Sequence, residues 1–155
     1  MLRDPIDSAW SGFGRKVREG QAIAGDHNYD HVLDKLLGPA ILRRLYANNL
    51  RRWLSVFPRE QIFVGFYEDL VSRPAELLDE VCAFLGVAPV AQSLGPALTE
   101  RVNSSIGHRG DVPRVVELAL ARRLVDDLSI LSELLGGHAD RWHQRALSVI
   151  ANAKG

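Results

Sequence analysis

Cysteine is nearly absent from this chain of 155 residues, since Cys82 is the single one. A disulfide within the chain is therefore excluded, and a reducing compartment is indicated. Cys82 stands in an apolar helical pattern, so we predict that it lies in the core. The sequence also lacks a signal peptide and any apolar run long enough to span a bilayer. We therefore expect a cytoplasmic protein without a membrane partner.

An excess of charge of one sign is absent as well. Lysine plus arginine and aspartate plus glutamate number 19 each, so the formal net charge is zero. This balance argues against a protein that binds nucleic acid through bulk charge. The chain is long enough for one domain with a hydrophobic core, and its apolar content of 46% is ordinary for a globular protein.

A complete metal-binding pattern is also missing. Asp26, Asn28 and Asp30 have the spacing that begins a calcium loop, but His31 stands where that loop needs glycine and Leu37 where it needs glutamate. His27 and His31 are four residues apart, yet no third ligand is evident. We predict that the protein holds no metal.

The N-terminal stretch has the pattern of a strand end, a turn and a helix start. Asp4 suits the N-cap, Pro5 the first helical position, and Asp7 the first turn. Arg3 precedes this helix, and Ser11 lies about two turns inside it. A guanidinium and a hydroxyl so arranged can bind a phosphate. The alternative is that Arg3 pairs with a surface carboxylate and Ser11 is a solvated helix residue.

Helical periodicity dominates the remainder of the chain. We predict helices at residues 5–18, 39–56 and 74–85, and one or two helices at 113–135. Residues 19–38 are predicted to be a loop with a short helical piece. Gly86 is expected to end the third of these helices. Its buried stripe is expected to comprise Leu77, Leu78, Val81, Phe84 and Leu85. Residues 61–67 form a short apolar run typical of a buried parallel strand. The end of the chain, after Trp142, is expected to be a frayed helical tail.

Two motifs carry a family resemblance. Arg3-Asp4-Pro5-Ile6-Asp7, followed by Ala9 and Ser11, resembles the 3′-phosphate-binding motif of sulfotransferases that use 3′-phosphoadenosine 5′-phosphosulfate (PAPS). Tyr67-Glu68-Asp69 resembles a second motif of the same family. The resemblance implies that Arg3 and Ser11 hold the 3′-phosphate and that Tyr67 touches the nucleotide. The alternative for Tyr67 is a buried strand-end aromatic. We interpret Glu68 and Asp69 as structural, orienting the turn and the following helix.

A third nucleotide contact is predicted in the basic, glycine-containing loop at residues 107–113. Such a loop can present backbone N–H groups and a cation to a phosphate. It is similar to a loop that closes over the nucleotide in heparan-sulfate-type sulfotransferases, which makes Arg109 and Gly110 candidates. The alternative is a plain connecting loop. The arginines Arg43, Arg44, Arg51 and Arg52 are expected to form a solvated basic surface, the alternative being a role in attracting an anionic substrate.

The resemblance implies an α/β fold. We expect residues 1–155 to be the C-terminal part of a P-loop-like, parallel-sheet sulfotransferase domain, mostly helical with one or two core strands. Only Met1 and Leu2 precede Arg3, so the half that carries the family's phosphosulfate loop is expected to be absent. The family's catalytic base lies in that half, and the catalytic residues here are therefore unknown.

The expected function is transfer of a sulfuryl group from PAPS to a hydroxyl or amine of a small-molecule or glycan acceptor. The alternative is a truncated, non-catalytic helical remnant or interaction module. In that case an exposed sheet edge would favour self-association.

Overall fold

The computed structural model describes residues 1–18, 38–100 and 112–153, and helices dominate these ranges. The predicted loop at residues 19–37 and most of the loop at 107–113 lie outside them. The α-helices, numbered along the chain, are α1 (Pro5–Arg18), α2 (Tyr46–Leu54), α3 (Tyr67–Ser72), α4 (Pro74–Leu85), α5 (Ala91–Leu94), α6 (Arg114–Leu135) and α7 (His138–Ala151). Short 3-10 segments occupy Pro39–Arg44, Arg59–Gln61 and Gly95–Thr99.

The parallel pairing in the described ranges is a single bridge between Leu2 and Phe66. The Leu2 amide donates to the Gly65 carbonyl at 2.8 Å, and the Tyr67 amide donates to the Leu2 carbonyl at 2.7 Å. The prediction of a full strand at residues 61–67 is therefore wrong in its extent. Gln61 ends a 3-10 segment and Tyr67 begins α3, so regular structure limits the extended stretch on both sides.

The core lies mainly between the antiparallel helices α6 and α7 and the helices packed on them. One face of α6 is almost inaccessible to solvent because its apolar residues recur every three or four positions. These residues are Val116, Leu120, Leu124, Leu128 and Leu131. Gly136 and Gly137 have positive φ angles of 64° and 57° and turn the chain into α7. The expected frayed tail is wrong, because α7 runs to Ala151 and buries Ala146 completely.

The predicted helix at residues 39–56 is divided at Leu45, where the backbone has a ψ angle of 74°. A carboxylate from α6 begins the second part. Asp127 accepts hydrogen bonds from the amides of Ala47 (3.1 Å) and Asn48 (3.2 Å). These amides belong to the first turn of α2 and have no partner within that helix, so Asp127 serves as a remote N-cap.

Helix α4 has the bounds predicted from the sequence, but its buried face differs from the predicted one. It ends before Gly86, as predicted, and the φ angle of Gly86 is 69°. Cys82 is buried, as predicted. Leu77 is buried, but Phe84 and Leu85 are 40% and 63% exposed, which corrects the predicted stripe.

Across residues 1–18, 38–100 and 112–153, no helix has the length and apolar character needed to cross a membrane. The same ranges contain no group of three histidine, cysteine, aspartate or glutamate side chains arranged to hold a metal ion.

Candidate functional site

Arg3 and Tyr67 lie side by side at one end of the parallel bridge. Arg3 directly follows Leu2 and Tyr67 directly follows Phe66, the two members of the bridge. The Arg3 guanidinium carbon lies 4.7 Å from the centre of the Tyr67 ring, and both side chains are half-buried. Carboxyl ends of parallel strands meet at the same edge of a sheet, where ligands of α/β proteins usually bind. Two of the predicted nucleotide residues are therefore in contact.

The first turn of α1 is capped by its own sequence, as predicted. Asp4 is buried, and its Oδ1 accepts hydrogen bonds from the amides of Ile6 (2.8 Å) and Asp7 (3.3 Å). Pro5 occupies the first helical position. Because these leading amides already have a partner, an anion at this end would have to be bound by side chains rather than by the helix terminus.

Ser11 lies on the second turn of α1 and is exposed. It is six residues from Pro5, a rise of about 9 Å along the helix. The described contacts do not join Ser11 to Arg3. The roles assigned to Arg3 and Ser11 therefore stay predictions. Arg3 lies just before α1, and Ser11 lies in the N-terminal half of that helix.

Tyr46 and Arg44 are two neighbours of this region that the sequence did not reveal. The Tyr46 hydroxyl hydrogen-bonds the Ser8 side chain and the Arg3 backbone, and burial raises the pKa of Tyr46 above its ordinary value. The Arg44 guanidinium donates to the Ser8 carbonyl at 3.1 Å. Arg44 is therefore packed on α1 rather than solvated, whereas Arg43 is exposed as expected. Helical periodicity does not indicate these partners of Tyr46.

Glu68 and Asp69 make structural contacts, in agreement with their interpretation from sequence. Glu68 Oε1 lies 3.1 Å from Trp142 Nε1, which donates to it, and 3.4 Å from the Asp4 amide. Asp69 Oδ1 accepts from Arg73 Nε at 2.9 Å and lies 3.0 Å from His138 Nε2. The hydrogen bond from Arg73 is the main cause that lowers the pKa of Asp69. These carboxylates connect α3 to α7 and are engaged in holding the fold.

Arg145 of α7 binds three carboxylates at once. Its Nη1 lies 2.8 Å from both Asp4 Oδ2 and Asp7 Oδ1, and its Nη2 lies 2.6 Å from Glu117 Oε1. Burial on its own lowers the pKa of Arg145, but the bonds to Asp7, Asp4 and Glu117 outweigh it and raise that pKa. The guanidinium therefore stays charged and joins α1, α6 and α7, and one of its partners, Asp4, directly follows Arg3 in the chain. Nothing in the local sequence of α7 indicates this contact.

The third predicted contact, Arg109 with Gly110, lies outside the described residues. Its role in nucleotide binding stays a prediction.

The fold and the paired Arg3 and Tyr67 agree with one class of protein. The sulfotransferase domain family model matches residues 1–105 of the chain. The chain belongs to the sulfotransferase domain family. This membership fits the predicted α/β class, while the parallel sheet and the P-loop-like architecture stay predictions.

The curated relatives show which members of this family the chain resembles. The chain is 26% identical over 99 residues to human bifunctional heparan sulfate N-deacetylase/N-sulfotransferase 2. It is 33% identical over 99 residues to mouse bifunctional heparan sulfate N-deacetylase/N-sulfotransferase 3. Each alignment covers 57% of this chain and 11% of the relative. The Drosophila melanogaster enzyme is 25% identical over 100 residues, covering 58% of this chain and 10% of the relative. The chain thus spans about a tenth of these proteins. No solved structure matches it.

Proposed function

We propose that this chain forms the nucleotide-binding end of a sulfotransferase that uses PAPS as its donor. Arg3 and Ser11 hold the 3′-phosphate, and Tyr67 contacts the nucleotide. The observation that carries the proposal is the contact between Arg3 and Tyr67 at the carboxyl end of the parallel bridge. Membership of the sulfotransferase domain family supports it, because the matched range contains all three residues.

The geometry of Arg3 suits a phosphate. Its guanidinium lies over the face of the Tyr67 ring, whereas guanidinium N–H groups point outward in the guanidinium plane. Stacking therefore fixes the side chain without occupying its donors. Among the described residues, no carboxylate forms an ion pair with Arg3. The alternative in which Arg3 pairs with a surface carboxylate has no support in these ranges.

The proposed reaction is sulfuryl transfer. An acceptor nitrogen or oxygen attacks the sulfur of PAPS, the bond from sulfur to the bridging phosphate oxygen breaks, and adenosine 3′,5′-bisphosphate leaves with that electron pair. The acceptor gives its proton to a base, whose identity in the complete site is unassigned. The names of the relatives, heparan sulfate N-sulfotransferases, favour an amine of a glycan among the acceptors considered. A cytoplasmic location stays a prediction.

The test is a calorimetric titration of the chain with adenosine 3′,5′-bisphosphate. We expect Arg3→Ala to weaken binding at least about tenfold, because a charge-assisted contact to phosphate contributes roughly 1.5–3 kcal/mol. Arg43→Ala is the matched control, since it removes the same charge from an exposed position of the Pro39–Arg44 segment. Equal binding by the Arg3→Ala variant and the parent chain would contradict the proposal, as would no binding by the parent chain.

Self-association is a second candidate property, favoured by an apolar cleft beside the bridge. Residues 62–65 lie outside helices and strands, and the backbone of Ile62 is extended. Residues 62–64 border a cleft of about 380 Å³ whose apolar lining includes Leu2, Leu50, Trp53 and Phe63. Trp53 is 59% exposed. A segment outside regular structure that lies beside exposed apolar side chains can pair with another chain. We propose that a second copy pairs there.

Sedimentation velocity tests this pairing. We expect a concentration-dependent dimer that Val64→Lys abolishes, because a charge on an open edge opposes pairing. Val115→Lys places the same charge on an exposed valine of α6 and should leave the dimer intact. A monomeric parent chain at all concentrations, or a dimer that survives Val64→Lys, would exclude this surface.

A further inference from the structure

We propose that Arg145 is a positioning residue for the phosphate-binding end, holding Arg3 in place through Asp4. This inference rests on the proposed function and extends it to α7. That helix lies beyond residues 1–105, the range that the family model matches. The contribution of α7 is therefore not assigned by family membership.

The contacts of Arg145 place one guanidinium on the turn that presents Arg3. Arg3 is followed directly by Asp4, whose Oδ1 caps α1 and whose Oδ2 binds Arg145 at 2.8 Å. The Asp4 side chain is 8% exposed, so little water competes for this bond. Asp7, in the first turn of α1, binds the same nitrogen of Arg145. Asp4 is thus bound both by the amides of α1 and by Arg145, and these contacts restrict backbone movement of Arg3.

Helix α7 also holds the second segment of the bridge. Trp142 lies three residues before Arg145 and therefore on the same face of α7. Its Nε1 donates to Glu68 Oε1, the oxygen that also lies 3.4 Å from the Asp4 amide. The indole packs edge-on against Phe66, with ring centres 5.5 Å apart. One face of α7 thus contacts both the residue after Arg3 and the residue after Tyr67.

Charge gives Arg145 a second effect on the site. Asp4, Asp7 and Glu117 converge on one guanidinium, so the cluster is acidic even when Arg145 is present. Without Arg145, these carboxylates would repel one another and would lower the affinity of the neighbouring Arg3 for phosphate. Lysine would restore the charge but not the planar set of donors that reaches several carboxylates.

The first experiment compares nucleotide affinity between matched variants. We expect Arg145→Met to weaken binding of adenosine 3′,5′-bisphosphate about tenfold at a temperature where circular dichroism shows the chain folded, with Arg145→Lys intermediate. Arg114→Met is the control, because Arg114 also joins α6 to the end of α7, through the Asn152 carbonyl at 2.8 Å, away from Asp4. Wild-type affinity in Arg145→Met, or equal losses in the two methionine variants, would overturn the inference.

The second experiment does not need the nucleotide. We expect the Tyr67 amide, which donates to the Leu2 carbonyl, to exchange its hydrogen faster in Arg145→Met than in Arg114→Met. Equal exchange would overturn the inference even if the parent chain bound no nucleotide. Loss of binding in Arg3→Ala together with unchanged binding in Arg145→Met would leave the proposed function standing and refute only the role of Arg145.

Discussion

Replacement of Trp142 by alanine is expected to lower the free energy of unfolding by about 3–5 kcal/mol, the usual cost of truncating a buried aromatic side chain. Trp142 is 4% exposed and belongs to the core between α6 and α7. Its ring contacts Phe66, and its Nε1 is a hydrogen-bond donor to Glu68. The substitution therefore leaves a cavity and removes a partner from a partly buried carboxylate. Chemical denaturation followed by circular dichroism measures the change.

Two further variants separate the effect of lost packing from the effect of the lost hydrogen bond to Glu68. Trp53→Ala removes an indole that is 59% exposed, and we expect it to cost less than about 1 kcal/mol. Trp142→Phe keeps most of the packing and removes the donor to Glu68, for which we expect a loss of about 1–3 kcal/mol. Similar losses for Trp53→Ala and Trp142→Ala would show that α7 is not packed against the bridge in solution.

Asp4→Ala is expected to lower the free energy of unfolding by about 3 kcal/mol. Loss of an N-cap accounts for about 1 kcal/mol. Loss of the bond between the buried Asp4 carboxylate and Arg145, which keeps Asp7 and Glu117 as partners, accounts for the remainder. Asp7→Ala is the control, because the Asp7 side chain binds the same nitrogen but is 42% exposed. Thermal or chemical unfolding at neutral pH measures both variants, and a larger loss for Asp7→Ala would contradict the assignment.

The pKa of Asp4 predicts how asparagine behaves at this position. Burial raises that pKa above its ordinary value of 3.8, and the attraction of Arg145 only partly offsets the increase. A raised pKa in the folded state means that ionisation of Asp4 opposes folding, so its contribution to stability falls as pH rises through that pKa. Asp4→Asn keeps an oxygen for the cap and avoids this cost. We expect it to be closer in stability to the parent chain than Asp4→Ala at neutral pH.

Local features of the fold were accessible from the sequence because short-range chemistry determines them. Asp4 and Pro5 begin α1 as predicted, and Gly86 ends α4 with a positive φ. The family motifs at residues 3–11 and 67–69 lie at the two segments that the parallel bridge joins. Both kinds of signal extend over a few residues, so no knowledge of distant contacts was needed.

Long-range contacts explain what the sequence did not predict. Residues 39–56 are periodic enough for one helix, but Asp127 caps the amides of Ala47 and Asn48 and a new helix begins after Leu45. Arg145 has no local pattern that indicates partners more than 100 residues away. The residues after Trp142 continue α7 rather than forming a frayed tail, because α7 is stabilised by packing on α6.

The most direct test of the central claim is a map of amide chemical shifts during titration of the isotopically labelled chain with adenosine 3′,5′-bisphosphate. The account predicts that the largest changes fall at Arg3, Ser11 and Tyr67, with smaller changes along the first two turns of α1. Changes confined to the apolar cleft around Trp53 and Phe63, or an unchanged spectrum at saturating nucleotide, would contradict a phosphate site at the end of the parallel bridge.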